Sequence, residues 1–197
     1  MNATDLLVDE HRVIEQVLNC LEKVIEQAIA TWRLEEEPAR EAIDFFLDFV
    51  DRCHRKKEEA HLFPLIQARG IGGGSGPVSV MRTEHELGRL HLDGTHGAIE
   101  RASKGDASAL QWFVQHGQNY IRLVREHIQK EEQTLFPSAN QAMKESDHQT
   151  LLAAFEKLDA KEMRRGTHEK YLALANRLAD RFGVTRADNG RHTVSRN

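Results

Sequence analysis

Four histidines and two glutamates recur in this 197-residue chain at spacings that suit metal coordination. The run His54-Arg-Lys-Lys-Glu58-Glu59-Ala-His61-Leu62-Phe63-Pro64 returns as His127-Ile-Gln-Lys-Glu131-Glu132-Gln-Thr134-Leu135-Phe136-Pro137. The shared frame is H-x-x-x-E-E-x-x-L-F-P. Residues four apart lie one turn apart on a helix face, so each copy aims an imidazole and a carboxylate the same way. Upstream of each copy stands one more histidine, His11 in Asp9-Glu10-His11 and His85 in Thr83-Glu84-His85, at offsets of 43 and 42 residues. One H-x-x-x-E on a helix is usually a solvated face. Two copies in matching frames, each with its upstream histidine, point to metal chemistry.

The elements that must position these groups are helices. Leu6, Leu7, Ile14, Leu18, Leu21 and Ile25 recur at helical spacing, which predicts a helix over about 4–31. Pro38 fits the first turn of a second helix, which carries Ile43, Phe46, Leu47, Val50, Leu62 and Leu65 and runs to about Arg69. The glycine-rich run 70–77 is a breaker and reads as a flexible loop. A third helix is expected over about 77–101 and a fourth over about 107–133, ending near Pro137, where the proline should stop it. Short connections suggest an up-down-up-down four-helix bundle. Two further helices are expected at about 146–160 and 167–182, with Ser146 and Gln149 as a capping box for the first. The fold class is therefore all-α, a four-helix bundle with one or two extra C-terminal helices. Its divisions are 1–140 for the bundle, 141–185 for a helical extension and 186–197 for a flexible tail.

In that topology the early His11 and His85 fall level with the late His54 and His127. All four imidazoles then lie near one end of the bundle, with Glu58 and Glu131 about one turn, ~6 Å, nearer that end. Such a group inside an apolar bundle needs a compensating charge, which two divalent or trivalent cations supply. Imidazole accepts zinc, copper, iron or nickel; carboxylates able to bridge favour a pair of hard ions, so the mixture suits iron best.

The net charge of −4 argues against a dedicated nucleic-acid binder. The first residues show no basic stretch followed by an apolar run, and no apolar run reaches membrane-spanning length, so no signal peptide and no membrane association are expected. Two cysteines, Cys20 and Cys53, form no disulfide framework and suit a reducing, cytoplasmic setting.

The repeat resembles the hemerythrin or HHE cation-binding family over about residues 1–140. That resemblance implies a four-helix bundle holding two non-haem irons bridged by oxygen and carboxylates. By motif, His11, His54 and Glu58 would serve one iron and His85, His127 and Glu131 the other, with Glu58 and Glu131 bridging. The chain departs from the oxygen-carrying members. They carry a further histidine one turn after the third-helix ligand, where this chain has Arg89; Met81 stands one turn before it. They also use His-x-x-x-x-Asp on the last helix, where this chain has His127-x-x-x-Glu131. With four histidines in place of five, coordination is more open. The chain thus resembles bacterial hemerythrin-like proteins linked to O2, NO or peroxide chemistry, iron handling or stress sensing. The function expected is binding, sensing or removal of such a small molecule. An iron storage or donor role, or a di-iron oxidoreductase or peroxidase, is the alternative.

Other residues carry weaker expectations. His61, seven after His54, is expected near the helix end and partly exposed, although it also spells the ferritin-like Glu58-x-x-His61; its counterpart Glu131-x-x-Thr134 breaks that motif. Glu59 and Glu132 are expected to be solvated or to support the ligands, and Leu62, Phe63 and their counterparts to cover the site. Tyr120, two turns before His127, is the candidate catalytic residue, as a ligand, a proton donor or a gate. His96 and His116, each eleven residues from a ligand histidine, are expected to meet at the far end of the bundle, with Glu22 nearby.

Overall fold

In a computed structural model, residues 2–72, 76–162 and 167–187 are described, and they form helices with no strand among them. The expected loop at 70–77 falls partly, and the expected tail almost wholly, outside these residues. Helix α1 is Ala3–Thr31; Asp5 accepts from the Asn2 backbone N–H (2.7 Å) and so occupies an otherwise unpaired donor at its start. Helix α2 covers 36–68 as one rod, with Pro38 in its first turn. Helix α3 is Pro77–Ser103, and α4 covers 107–142. Asp106 caps α4 by accepting from the Ser108 and Ala109 backbone amides at 3.0 Å. Helices α5, Glu145–Glu162, and α6, Thr167–Phe182, follow.

Helix α1 packs on α2 and α4, and α3 packs on the same two, which is the neighbour pattern of an up-down-up-down bundle. Helix α6 lies on α1 and α2, where Tyr171 donates to Asp48; α5 lies on α1 and on the later part of α2. No helix among the described residues is long and apolar enough to cross a membrane.

Two apolar clusters divide the interior. The larger runs along the bundle and includes Ile14, Leu18, Phe46, Phe49, Phe113 and Tyr120. The smaller closes one end with Leu7, Phe63, Ile66, Met81, Phe136 and, from α5, Leu151 and Phe155. The polar residues of the repeat lie between them.

Three sequence expectations are corrected here. The prolines do not end their helices: α2 continues past Pro64 to Ala68, and α4 past Pro137 to Ala142. Each proline follows a π-wide segment, Glu58–Leu62 or Glu131–Leu135, in which the N–H of Phe63 or Phe136 bonds the carbonyl five residues back, at Glu58 or Glu131. The wider turn absorbs the N–H that proline lacks, so the rod goes on. Helix α5 starts at Glu145, not Ser146, and the box residue is Asp147, which accepts from the Lys144 N–H (2.8 Å). His116 pairs with His91 (Nδ1 to Nδ1, 3.3 Å), His96 is exposed, and Glu22 holds Arg125 (2.9 Å). The buried stripe of α3 reads Met81, His85, Gly88, Leu92, Thr95, Ile99 and Ala102, a seven-residue repeat. Against that 3.5-residue period, eleven residues overshoot by half a position, which turns His96 outward.

Pro64→Ala restores an N–H and lets the regular α register return through residues 58–62. We expect unchanged helix content by circular dichroism and faster loss of bound metal to a chelator, because Glu58 then turns relative to His54. Metal retention equal to the parent chain would show that the wide turn does not set the site.

Candidate metal centre

Six side chains converge between the two apolar clusters. His11 comes from the early part of α1, His54 and Glu58 from α2, His85 from the early part of α3, and His127 and Glu131 from α4. None is more than 5% exposed. The ligand atoms of His11, His54, Glu58 and Glu131 lie within 4.8 Å of one another, and so do those of Glu58, His85, His127 and Glu131. The two glutamates belong to both groups. Glu58 turns one oxygen toward His54 Nε2 (3.6 Å) and the other toward His85 Nε2 (3.3 Å). Glu131 does the same for His127 and His11, at 3.3 Å each. His85 and His127 bring their Nε2 atoms to 3.1 Å. Two nitrogens about 2.1 Å from one ion stand about 3 Å apart at a right angle.

The fit to a cation can be tested on these atoms alone. Among the described residues, both oxygens of Glu58, both of Glu131 and Nε2 of His11 are buried without a hydrogen-bond partner. Such orphan acceptors are costly, and a cation at each group satisfies them together. The residues present therefore fit two metal ions.

The imidazoles are fixed from behind. Nδ1–H of His11 donates to Glu132 (3.0 Å), His54 to Glu10 (2.9 Å), His85 to Glu59 (2.6 Å) and His127 to Glu84 (2.9 Å). An ionised carboxylate only accepts, so each Nδ1 carries the proton and each Nε2 lone pair faces inward. Every carboxylate in turn meets a cation. Glu132 meets Arg12 (2.6 Å), Glu59 meets Arg89 (2.7 Å), Glu10 meets Lys57 and Glu84 meets Lys130. Phe136 stacks on His11 and Phe63 on His85, at 5.7 and 5.8 Å between ring centres.

The sequence pointed to the six side chains that converge and to the covering phenylalanines, and allowed Glu59 and Glu132 a supporting place. It missed Glu10, Glu84, Lys57 and Lys130. A signal was present: Glu-His stands at both 10–11 and 84–85, and a lysine precedes the first glutamate in both copies of the frame. Arg89, at the position where oxygen carriers have a histidine, instead joins the His85 support. His61 is not part of the centre; its ring lies 6.3 Å from Phe155 of α5. Tyr120 is fully buried, edge-on to Phe46 at 5.0 Å, and its hydroxyl has no hydrogen-bond partner among the described residues, the six included.

Protons and metal compete for these atoms. Burial opposes the charged imidazole, but Glu131 and Glu132 raise His11 to about 9, and Glu131 with Glu84 raises His127 to about 10. Burial and the neighbouring charge of Glu131 push Glu58 up to about 7. Burial takes His54 down to about 4. Burial alone would also raise Glu10, but Lys57 and His54 hold it at about 2, so the support for His54 stays ionised.

A family model described as the hemerythrin HHE cation-binding domain matches residues 2–139. An uncharacterised protein of Mycobacterium tuberculosis is 24% identical over 180 residues, 91% of this chain and 69% of that protein. A counterpart in Mycobacterium bovis matches to the same extent. The iron-sulfur cluster repair protein YtfE of Yersinia pestis is 37% identical over 89 residues, 44% of this chain and 40% of that protein. No solved structure matches the chain.

Groups with raised pKa values hold protons at neutral pH and must release them to bind metal. Metal loading at pH 7 should therefore acidify an unbuffered solution. Apparent affinity should fall as pH drops from 8 to 6, by about tenfold per pH unit for each proton displaced. Chelator competition across that range measures it, and a flat profile would remove the bound protons from the account.

Proposed function

The chain belongs to the hemerythrin HHE cation-binding family, and we propose that it is a non-haem di-iron protein that binds or reacts with O2, NO or peroxide. The observation that carries this reading is the pair of glutamates that each face both histidine pairs with no other partner. His11 and His54 would hold one iron, His85 and His127 the other, and Glu58 and Glu131 would bridge them. Iron held there supplies electrons and coordination positions at which a small molecule binds. Six side chains would not complete the coordination of two irons, which would leave positions for an outside ligand.

The chain's own residues account for the selectivity. The two apolar clusters cover six side chains that are at most 5% exposed, which favours a small ligand over a large organic substrate. The four carboxylate-bound imidazoles hold their lone pairs inward, and their outer cations neutralise the supporting carboxylates. Burial raises the Tyr120 hydroxyl to about 12, so it keeps its proton at neutral pH and remains a donor. Residues 1–140 form the metal-holding unit, and 141–185 an extension that helps close its end. The partial match to an iron-sulfur cluster repair protein favours a second reading, in which the centre gives up iron. Release of iron to a weak chelator at neutral pH, without reaction toward O2, NO or peroxide, would select it.

Elemental analysis after expression with added iron should give two irons per chain, with a visible spectrum that changes on adding azide, NO or peroxide. His54→Ala and His127→Ala should each lose iron and lower the melting temperature, because buried carboxylates lose their counter-charge. Full iron and an unchanged spectrum in His54→Ala would refute the ligand assignment. Tyr120→Phe removes an unpartnered buried hydroxyl. It should raise the stability of the metal-free chain by about 1 kcal/mol and slow the reaction with peroxide or NO. Unchanged rates would exclude Tyr120 from the chemistry.

A further inference from the structure

The four imidazole supports share one plan, an imidazole, a carboxylate and a cation, but differ in what covers the cation. The side chains of Arg12 and Lys130 are 48% and 46% exposed, so water and salt screen them, and that of Arg89 is 35% exposed and also meets Asp51 (2.7 Å). Lys57 is 0% exposed. It holds the same place in its copy of the repeat as Lys130 in the other, so the difference does not come from the motif. It comes from α5, whose Asp159 lies 2.9 Å from the Lys57 ammonium. Asp159 stands outside the 2–139 span matched by the family model.

We propose that Asp159 is a positioning residue for the metal centre: through Lys57 and Glu10 it sets the donor strength of His54 and makes the two metal positions inequivalent. This rests on the di-iron reading above. A carboxylate that accepts the Nδ1 proton strengthens the imidazole as a ligand. Lys57 draws on the charge of Glu10 and so weakens that effect. Asp159 takes up part of the lysine's charge and returns donor strength to His54. Lys57 and Glu10 are buried and Asp159 is 29% exposed, so these influences are screened less than those of the exposed Arg12 and Lys130. The His127 arm has the same carboxylate and lysine, but there water takes the place of Asp159. The C-terminal extension thereby acts on one side of the centre without contributing a ligand.

Asp159→Asn keeps the side-chain shape and removes the charge. In the iron-loaded full chain we expect unchanged iron content and a higher midpoint potential for one of the two irons, about tenfold in the redox equilibrium, or about 59 mV for one electron. Mössbauer spectra should show one of two iron environments changed. Asp159→Glu should restore the parent potential, which a purely structural role for the side chain does not predict. Glu156→Gln, at an exposed carboxylate of the same helix, should leave the potential in place. An Asn variant with full iron and the parent potential would overturn the proposal. Iron lost from Asp159→Asn would overturn it as well, since the side chain would then hold the centre together and not tune it. A parent chain that takes up no iron would instead remove the di-iron reading itself.

Discussion

Two carboxylates and four imidazoles are held in a bundle interior without enough protein donors to satisfy them. Taking a carboxylate out of water costs several kcal/mol even after relaxation. Glu58 and Glu131 lie side by side with all four oxygens lacking hydrogen bonds. Much else in the structure answers this one imbalance. A cation at each group would compensate the charge from inside. From outside, each histidine is tied to a carboxylate and each carboxylate to a cation, so further charges are neutralised in pairs before they add to the interior deficit.

The same constraint explains how the helices are built locally. A ligand pair four residues apart must turn both side chains inward, while Leu62, Phe63, Leu135 and Phe136 must cover the site in the next turn. A regular helix spreads those residues around its circumference. The π-wide segments at Glu58–Leu62 and Glu131–Leu135 add a residue to the turn and bring Phe63 and Phe136 over His85 and His11. Proline directly after the phenylalanine favours the wide turn, because it has no N–H to give the regular one. The phenylalanine that covers each site thus comes from the other copy's helix, which knits the two repeats into one centre.

The extension adds what the repeat lacks, which is asymmetry. Two copies of one motif would by themselves give two nearly equal halves. Helix α5 covers Lys57 and leaves Lys130 in water, and its Leu151 and Phe155 complete the apolar end. The metal centre is therefore not the product of residues 2–139 alone.

The helices and the six central side chains were legible in the sequence because both depend on local periodicity. A 3.6-residue pattern fixes which face of a helix is apolar, and a repeated H-x-x-x-E fixes which groups share that face. The up-down order then brings early and late histidines level. What the sequence left undecided depends on the register between helices, at a resolution finer than a turn. Glu10 reaches His54 across 44 residues and Glu84 reaches His127 across 43, yet nothing in the spacing of either pair separates support from solvated face. The pairing of His116 with His91 and not His96 follows from the 3.5-residue period that packed helices adopt, which an isolated helix does not show. The continuation past Pro64 and Pro137 needed the bonds of the wide turns. The burial of Lys57 under Asp159 needed the docking of a helix a hundred residues further along the chain, and no local pattern encodes where such a helix comes to rest.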